Sequence, residues 1–372
     1  MKDLDKKLKI VVTGTRGVPD MQGGVETHCR ELYPRITQQG FDVTIIRRKA
    51  YVTDRLQAYQ GVRLYDVRCV RKKAFEALFH TFHAVCIARW KLHADVIHIH
   101  SVGPALLTPF ARLFGLKVVF THHGPDYNRD KWGCVAKAAL RFGERMGCKL
   151  AHEVIVISDV INDIIQKKYG RRDAHLIYNG VSEPVIVNDT AYLDSLQITS
   201  KKYIFAMGRF VPEKNFHLLI EAFSRIAPQG FRLVIAGDSD VADDYAKRLK
   251  ALAKEKGVIL TGFIQGDPLH TLLSHAALFV LPSSHEGLPI ALLEAMSYRL
   301  PILASDIPAN LAVCLPPSCY FRYDYNPLEN LIDSLQQKLL SPTSPFYDLS
   351  AYNWNHIATQ TASIYQNLQK SR

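Results

Sequence analysis

None of the seven cysteines, at positions 29, 69, 86, 134, 148, 314 and 319, stands in a C-x-x-C pair, and their number is odd. That excludes a zinc ribbon, a thioredoxin-like motif and a disulfide framework, and free thiols in a reducing compartment are expected. No apolar run approaches the ~18 residues of a membrane span. The longest candidate, 102–120, is interrupted by Pro104, Pro109, Arg112 and Lys117. Charged residues 1–9 give way directly to Ile10-Val11-Val12, without the ~7–15-residue apolar core of a signal peptide. A cytoplasmic protein, peripheral on the inner face of a membrane at most, is expected. The chain also lacks a G-x-G-x-x-G fingerprint, a Walker A loop and a G-x-S-x-G elbow, which argues against dinucleotide, P-loop and serine-triad chemistry. No zinc finger, RNP-like aromatic pattern or helix-turn-helix is present, so no nucleic-acid partner is expected.

What remains is an ordinary globular composition: 372 residues, 48% apolar and 22% charged, enough for about two domains. The net charge of +11 is placed unevenly. Residues 1–185 hold 30 basic and 18 acidic side chains; the rest hold 16 and 17. A one-sided basic domain implies an acidic partner such as anionic lipid or a phosphorylated substrate. The densest clusters are Arg47-Arg48-Lys49 and Arg71-Lys72-Lys73. The second opens a helical stretch, 74–91, with Phe75, Leu78, Phe79, Phe82, Val85 and Cys86 at helical spacing. It reads either as a basic helix on an anionic membrane or as a helix packed on a sheet.

Short apolar runs alternate with amphipathic stretches throughout. Strands are expected at 9–13, 43–47, 62–66, 96–100, 118–121, 154–157 and 176–178, then at 203–207, 233–236, 258–261, 278–281, 302–304 and 320–321. Strands apolar on both faces and separated by helices mean parallel sheets covered on both sides. The reading is α/β: two Rossmann-like parallel-sheet domains facing a central cleft. The first spans 1–182, a linker 183–202, the second 203–351, and a helix over 352–372 crosses back to the first.

Three motifs carry the chemistry. Gly14-Thr15-Arg16-Gly17-Val18-Pro19, then Gly23-Gly24-Val25-Glu26, follows a strand and opens a helix. It is either a loop whose amides approach a phosphate or an ordinary tight turn. Gly208-Arg209-Phe210-Val211-Pro212-Glu213-Lys214 follows the first strand of the second domain and sets two cations before a helix, a pairing that suits a diphosphate. Glu286-Gly287-Leu288-Pro289-Ile290 leads into an apolar helix holding Glu294. Carboxylates accept paired hydrogen bonds from sugar diols, and amides at the Gly287–Ile290 turn suit a phosphate.

These motifs, over nearly the whole chain, resemble the retaining GT-B glycosyltransferases of family four. The opening loop resembles a bacterial subset associated with rhamnosyl transfer to surface polysaccharides. The resemblance implies a metal-independent hexosyltransferase that moves a sugar from a nucleotide-diphosphate donor to a lipid-linked or growing polysaccharide acceptor. It implies that Arg209 and Lys214 hold the diphosphate, Glu286 the donor sugar and Glu294 the ribose. Gly23 and Gly24 would approach the phosphate from the other domain. His122, in Thr121-His122-His123-Gly124, matches a histidine near the transferred sugar, with the choice between His122 and His123 open. Asp126, Tyr127 and Asn128 are candidates for the acceptor side. Other nucleotide-sugar enzymes (an epimerase or sugar-phosphate synthase) and a non-catalytic binding subunit are the alternatives.

No cofactor and no metal are expected. Asp238-Ser239-Asp240 looks like the metal-binding motif of another glycosyltransferase fold but follows Val234-Ile235-Ala236-Gly237, where family four has a polar loop. His98, His100, His122 and His123 could suggest zinc, but no acidic or cysteine third ligand stands at a sensible spacing.

Overall fold

The computed structural model describes residues 7–69, 76–129, 132–239, 243–341 and 346–370. The chain divides into two units: Met1–Asn179 with Asn353–Arg372, and Gly180–Tyr352.

The first unit is built on eight strands: β1 (Lys9–Thr13), β2 (Asp42–Arg48), β3 (Ala58–Tyr59), β4 (Val62–Val67), β5 (Val96–His100), β6 (Lys117–His122), β7 (Glu153–Val156) and β8 (His175–Leu176). They lie in the order β3-β4-β2-β1-β5-β6-β7-β8, all parallel except the β3–β4 edge pair. The central strands are buried on both faces, as Ile10, Val12, Val43, Ile45, Ile97 and Ile99 require. Helix Gly24–Gln38 and the C-terminal helix Trp354–Lys370 share one core with the sheet, through Leu32, Tyr33, Ile36, Trp354, Ile357, Tyr365 and Leu368. Each such side chain, once buried, contributes roughly 1.5–3 kcal/mol.

The second unit has six parallel strands: β9 (Tyr203–Met207), β10 (Arg232–Ala236), β11 (Ile259–Gly262), β12 (Leu278–Leu281), β13 (Ile302–Ser305) and β14 (Tyr320–Phe321), in the order β11-β10-β9-β12-β13-β14. Helices Phe216–Ile226, Asp244–Glu255 and Pro327–Leu340 cover its core. Residues 183–202, expected as a linker, carry the short helix Ala191–Ser195 and lie along this unit. The Val185 amide donates to the Tyr298 hydroxyl at 3.1 Å and the Val187 amide to Ser274 Oγ at 3.0 Å.

In both units the order of the strands reverses beside the first strand, between β1 and β5 and between β9 and β12. In open parallel sheets this switch point, at the carboxyl ends of the strands, is where the flanking loops part and a ligand fits.

Of the basic cluster at 47–49 only Lys49 is exposed; the two arginines are engaged inside the fold. Arg47 is wholly buried at the end of β2, where Nε donates to Asp66 at 2.7 Å and Nη1 to both Asp54 oxygens at 2.9 and 3.0 Å. Arg48 pairs with Glu76 at 3.4 Å. Charges inside a sheet must be compensated on the spot, so these arginines are spent within the fold. Arg71-Lys72-Lys73 lies outside the described residues.

Candidate active site

The second unit's site begins where β9 ends. A Cβ on Gly208 would lie 3.2 Å from Lys214 Cε, so the lysine stem lies close across the glycine. The turn Pro212–Lys214 closes at Asn215, a left-handed residue with φ of 50°. Asn215 Nδ2 donates to the Pro282 carbonyl and to the Tyr323 hydroxyl, both at 3.0 Å. The Ser284 amide donates back to the Glu213 carbonyl at 2.9 Å. The loops that leave β9 and β12 are thus stitched together at the switch point. Beneath them Ser305 Oγ donates to the Ser283 carbonyl, and Asn310 Nδ2 to Ser305 Oγ at 2.9 Å.

At the centre of this stitching Lys214 Nζ donates to Glu286 Oε1 at 2.5 Å, both side chains largely covered. Burial pushes the Glu286 carboxyl up, but Lys214, helped by Ser283 and His285, outweighs it and holds the group below its usual range. Glu286 is therefore a carboxylate at neutral pH, an acceptor only. Half-buried Arg209 leads the same loop. Leu288 and Ile290 are buried anchors, half-buried Gly287 precedes them, and Pro289 starts helix Ile290–Ser297, which no side chain caps. The first amides of that helix and its dipole are of the kind that suits an anion. Half-buried Glu294 is its fifth residue, one turn in. All eight second-unit residues picked from the sequence thus lie on the two loops of one switch point or on the helix that follows.

In the first unit, Gly14 follows β1 at φ of 99°, and a Cβ there would sit 2.1 Å from the His100 carbonyl oxygen; only glycine lets the loop turn against β5. The following loop is folded on Glu26, which accepts from the Arg16 amide at 3.2 Å and from Arg16 Nε at 3.0 Å. Gly23 and Gly24 start helix Gly24–Gln38 without a side-chain cap, and a Cβ on Gly24 would meet nothing within 4 Å. The role of Glu26 was missed in the sequence; an acid two residues into a glycine-led helix was its signal.

The structure separates His122 from His123. His122 is fully buried: its Nδ1 accepts from the Gly124 amide at 3.0 Å and its Nε2 donates to Glu144 Oε1 at 2.9 Å. Glu144 also accepts from Tyr127 at 3.0 Å and Tyr169 at 2.5 Å, and Lys168 lies 3.6 Å away. Burial pushes the Glu144 carboxyl up, and these partners, His122 first, bring it below its usual range. Both nitrogens of His122 are thus taken by the protein, and the half-buried histidine of the pair is His123. Tyr127, expected on the acceptor side, belongs to the same cage. Asp126 pairs with Arg129 at 2.9 Å, and Asn128 is exposed. Glu144 had no sequence signal beyond its place between Gly143 and Gly147. A Cβ on Gly143 would clash with the Val102 carbonyl, and one on Gly147 with Phe120, so those glycines bring the helix down onto the sheet.

Asp238 forms an ion pair with Lys250 at 2.7 Å. Its companion Asp240 lies outside the described residues.

Two family models match the chain: "Glycosyltransferase Family 4" over residues 22–183 and "Glycosyl transferases group 1" over 189–316. The chain is a GT-B glycosyltransferase of the family 4/group 1 type. Among curated proteins it is similar to the UDP-Gal:alpha-D-GlcNAc-diphosphoundecaprenol alpha-1,3-galactosyltransferase of Escherichia coli, 25% identical over 90% of this chain and 89% of that one. It is also similar to the alpha-D-kanosaminyltransferase of Streptomyces kanamyceticus, 24% identical over 75% of this chain and 77% of that one. Of solved structures, the sucrose-phosphate synthase of Thermosynechococcus elongatus shares the fold with a TM-score of 0.82 at 20% identity, covering 98% of this chain and all of that one. Anabaena HepE in complex with UDP-glucose does so with a TM-score of 0.74 at 17% identity, covering 98% and 99%.

Proposed function

We propose that this glycosyltransferase moves a sugar from a nucleotide-diphosphate donor to a lipid-linked or growing surface-polysaccharide acceptor, with retention of anomeric configuration and without a metal. The observation that carries the reading is the Lys214–Glu286 pair at the β9/β12 switch point, with Arg209 and the uncapped helix Ile290–Ser297 beside it. The names of relatives support the substrate class: one acts on UDP-galactose and a diphosphoundecaprenol-linked sugar, and another was solved with UDP-glucose.

Breaking the anomeric C–O bond leaves negative charge on the departing diphosphate. Arg209, Lys214 and the helix amides are fixed before that charge develops, so they stabilise the transition state more than the ground state. Glu286, held ionised, accepts hydrogen bonds from donor-sugar hydroxyls, and Glu294 accepts from the ribose. The acceptor oxygen attacks the face the diphosphate leaves, and a diphosphate oxygen takes its proton, so no side chain is assigned as base. In the first unit the uncapped helix start at Gly23 and Gly24 offers its own backbone amides to an anion.

A membrane-borne acceptor fits a second feature of the first unit. Helix Glu76–Cys86 buries Glu76, His80 and Thr81 yet leaves Phe79 and Phe82 exposed, beside exposed Trp90, Phe110 and Leu113. Phe82 meets Phe110 at 5.5 Å between ring centroids, and Trp90 meets Phe114 at 4.7 Å. An exposed aromatic cluster flanked by exposed Arg89 and Arg112, on the basic half of the chain, suits the surface of an anionic bilayer.

The test is turnover of UDP-, GDP- and dTDP-sugars with lipid-diphosphate-linked acceptors. Arg209→Ala, Lys214→Ala and Glu286→Ala are each expected to lower kcat by ~10²–10³ with circular dichroism unchanged. Full activity in all three variants overturns the site, and a free epimerised sugar nucleotide as the product overturns the transfer.

A further inference from the structure

The switch point of the first unit, between β1 and β5, holds a second constellation that the donor chemistry does not use. His28 comes from helix Gly24–Gln38, His100 from the end of β5, and His123 from the residue after β6. One ring nitrogen from each lies within 4.8 Å of the others. His28 and His100 are buried and His123 is half-buried.

The outer contacts settle which nitrogens converge. His28 Nδ1 donates to Asn179 Oδ1 at 2.9 Å, which turns its Nε2 lone pair away from that bond. His100 Nε2 lies 2.5 Å from the Tyr33 hydroxyl, itself 2.9 Å from His98 Nδ1. With His100 protonated on Nε2, that chain is satisfied and its Nδ1 lone pair is presented to His123 Nε2, 2.8 Å away. A histidine whose far nitrogen is tied to an amide or hydroxyl oxygen, so that its near lone pair faces two others, has the build of a metal ligand with its outer shell in place.

We propose that His28, His100 and His123 bind one zinc ion, with a fourth position left for water or an anionic oxygen. Three imidazoles and an open position suit zinc; oxygen-preferring magnesium and calcium find no carboxylate among these ligands. Tetrahedral zinc bonds of about 2.0–2.1 Å set ligand nitrogens about 3.3 Å apart. The His100–His123 pair therefore opens slightly and the wider contacts close, a movement that His123, the least buried of the three, can supply. Without metal His123 Nε2 donates to His100 Nδ1; when zinc binds, His123 takes the Nδ1–H tautomer, so that both nitrogens offer lone pairs and each imidazole stays neutral. Zinc there ties together three elements of the first unit. The sequence hid the site because its first ligand stands 72 positions before its second.

The test titrates metal-stripped full-length protein with zinc against a chromophoric chelator and reads cobalt(II) absorption on the same samples. Expected are one zinc per chain, a rise in melting temperature with zinc but not with magnesium, and the intense visible bands of four-coordinate cobalt. His123→Ala, at a half-buried position that tolerates truncation, weakens zinc at least 100-fold and abolishes those bands. Asn179→Ala weakens it about 10–100-fold. His356→Ala, at an exposed position, changes nothing. No bound zinc, equal binding by wild type and His123→Ala, or only the weak bands of six-coordinate cobalt each overturns the proposal. None of these readouts depends on glycosyl transfer, so the site stands or falls apart from the proposed function.

Discussion

Replacing Lys214 by Met removes the cation from a carboxylate it meets at 2.5 Å, while keeping the stem that lies over Gly208. Breaking a wholly buried ion pair by removing one partner costs ~3–5 kcal/mol, because the remaining charge is stranded. Here the side chains retain 18% and 12% exposure, and Ser283 and His285 still stabilise Glu286. About 2–3 kcal/mol is therefore the appropriate magnitude. For a unit of this size each kcal/mol moves Tm by ~2–4 °C, so the transition of residues 180–352 should fall by about 5–10 °C in scanning calorimetry at pH 7.5. The transition of the first unit should stay where it is. Lys214→Met/Glu286→Gln should recover most of the loss, since a neutral amide needs no cation. The pH dependence carries a sign. In the wild type the Glu286 carboxyl is depressed, so its contribution is present above the ordinary carboxyl range and lost as the pH falls through the depressed value. In Lys214→Met burial is opposed by Ser283 and His285 alone, and the pKa rises. Stability is then highest at acid pH and falls as the pH rises through the raised value, and the deficit should shrink by pH 5. An equal deficit at pH 5 and 7.5, or no recovery in the double variant, refutes the claim that electrostatics rather than packing holds these loops.

The metal-free first unit should be acid-labile. His28 is lowered to about 4 and His80 to about 3, and His98, His100 and His123 also fall far below the usual 6.5, all first by burial. The unfolded chain takes up these protons first, so stability is present above pH 6.5 and lost as the pH drops, by up to ~1.4 kcal/mol per pH unit for each histidine. Near-ultraviolet circular dichroism melts from pH 7.5 to 4.5 check it; a flat first-unit Tm refutes the neutral-histidine cluster. Gly14→Ala should unfold the unit or cost more than ~3 kcal/mol, since its Cβ would collide with the His100 carbonyl at a positive φ. Gly24→Ala should keep wild-type Tm, because its Cβ meets nothing within 4 Å.

Residues that act through near neighbours in the chain were readable in advance. The apolar runs at 9–13, 96–100, 203–207 and 278–281 became strands with those same limits, because a strand buried on both faces carries its own pattern. The two-residue strand β3 carries too little pattern to register. The placement of the Gly208–Lys214 and Glu286–Glu294 motifs was also legible, because each is one short segment that hangs on one strand end. Other assignments depended on which distant segment came alongside. Nothing near Arg47 announced that Asp54 and Asp66 would neutralise it, and nothing in Thr-His-His-Gly said that Glu144 would claim the first histidine. The helical spacing of 74–91 marked an apolar stripe but not the side it would face, and in the folded unit Phe79 and Phe82 turn outward while His80 turns in. Likewise His28, His100 and His123 share a site only because a parallel sheet sets the ends of β1, β5 and β6 side by side. Backbone pattern is a local property and is written along the chain. Charge compensation and ligand convergence are sums over neighbours in space, and those neighbours exist only once the sheets have formed.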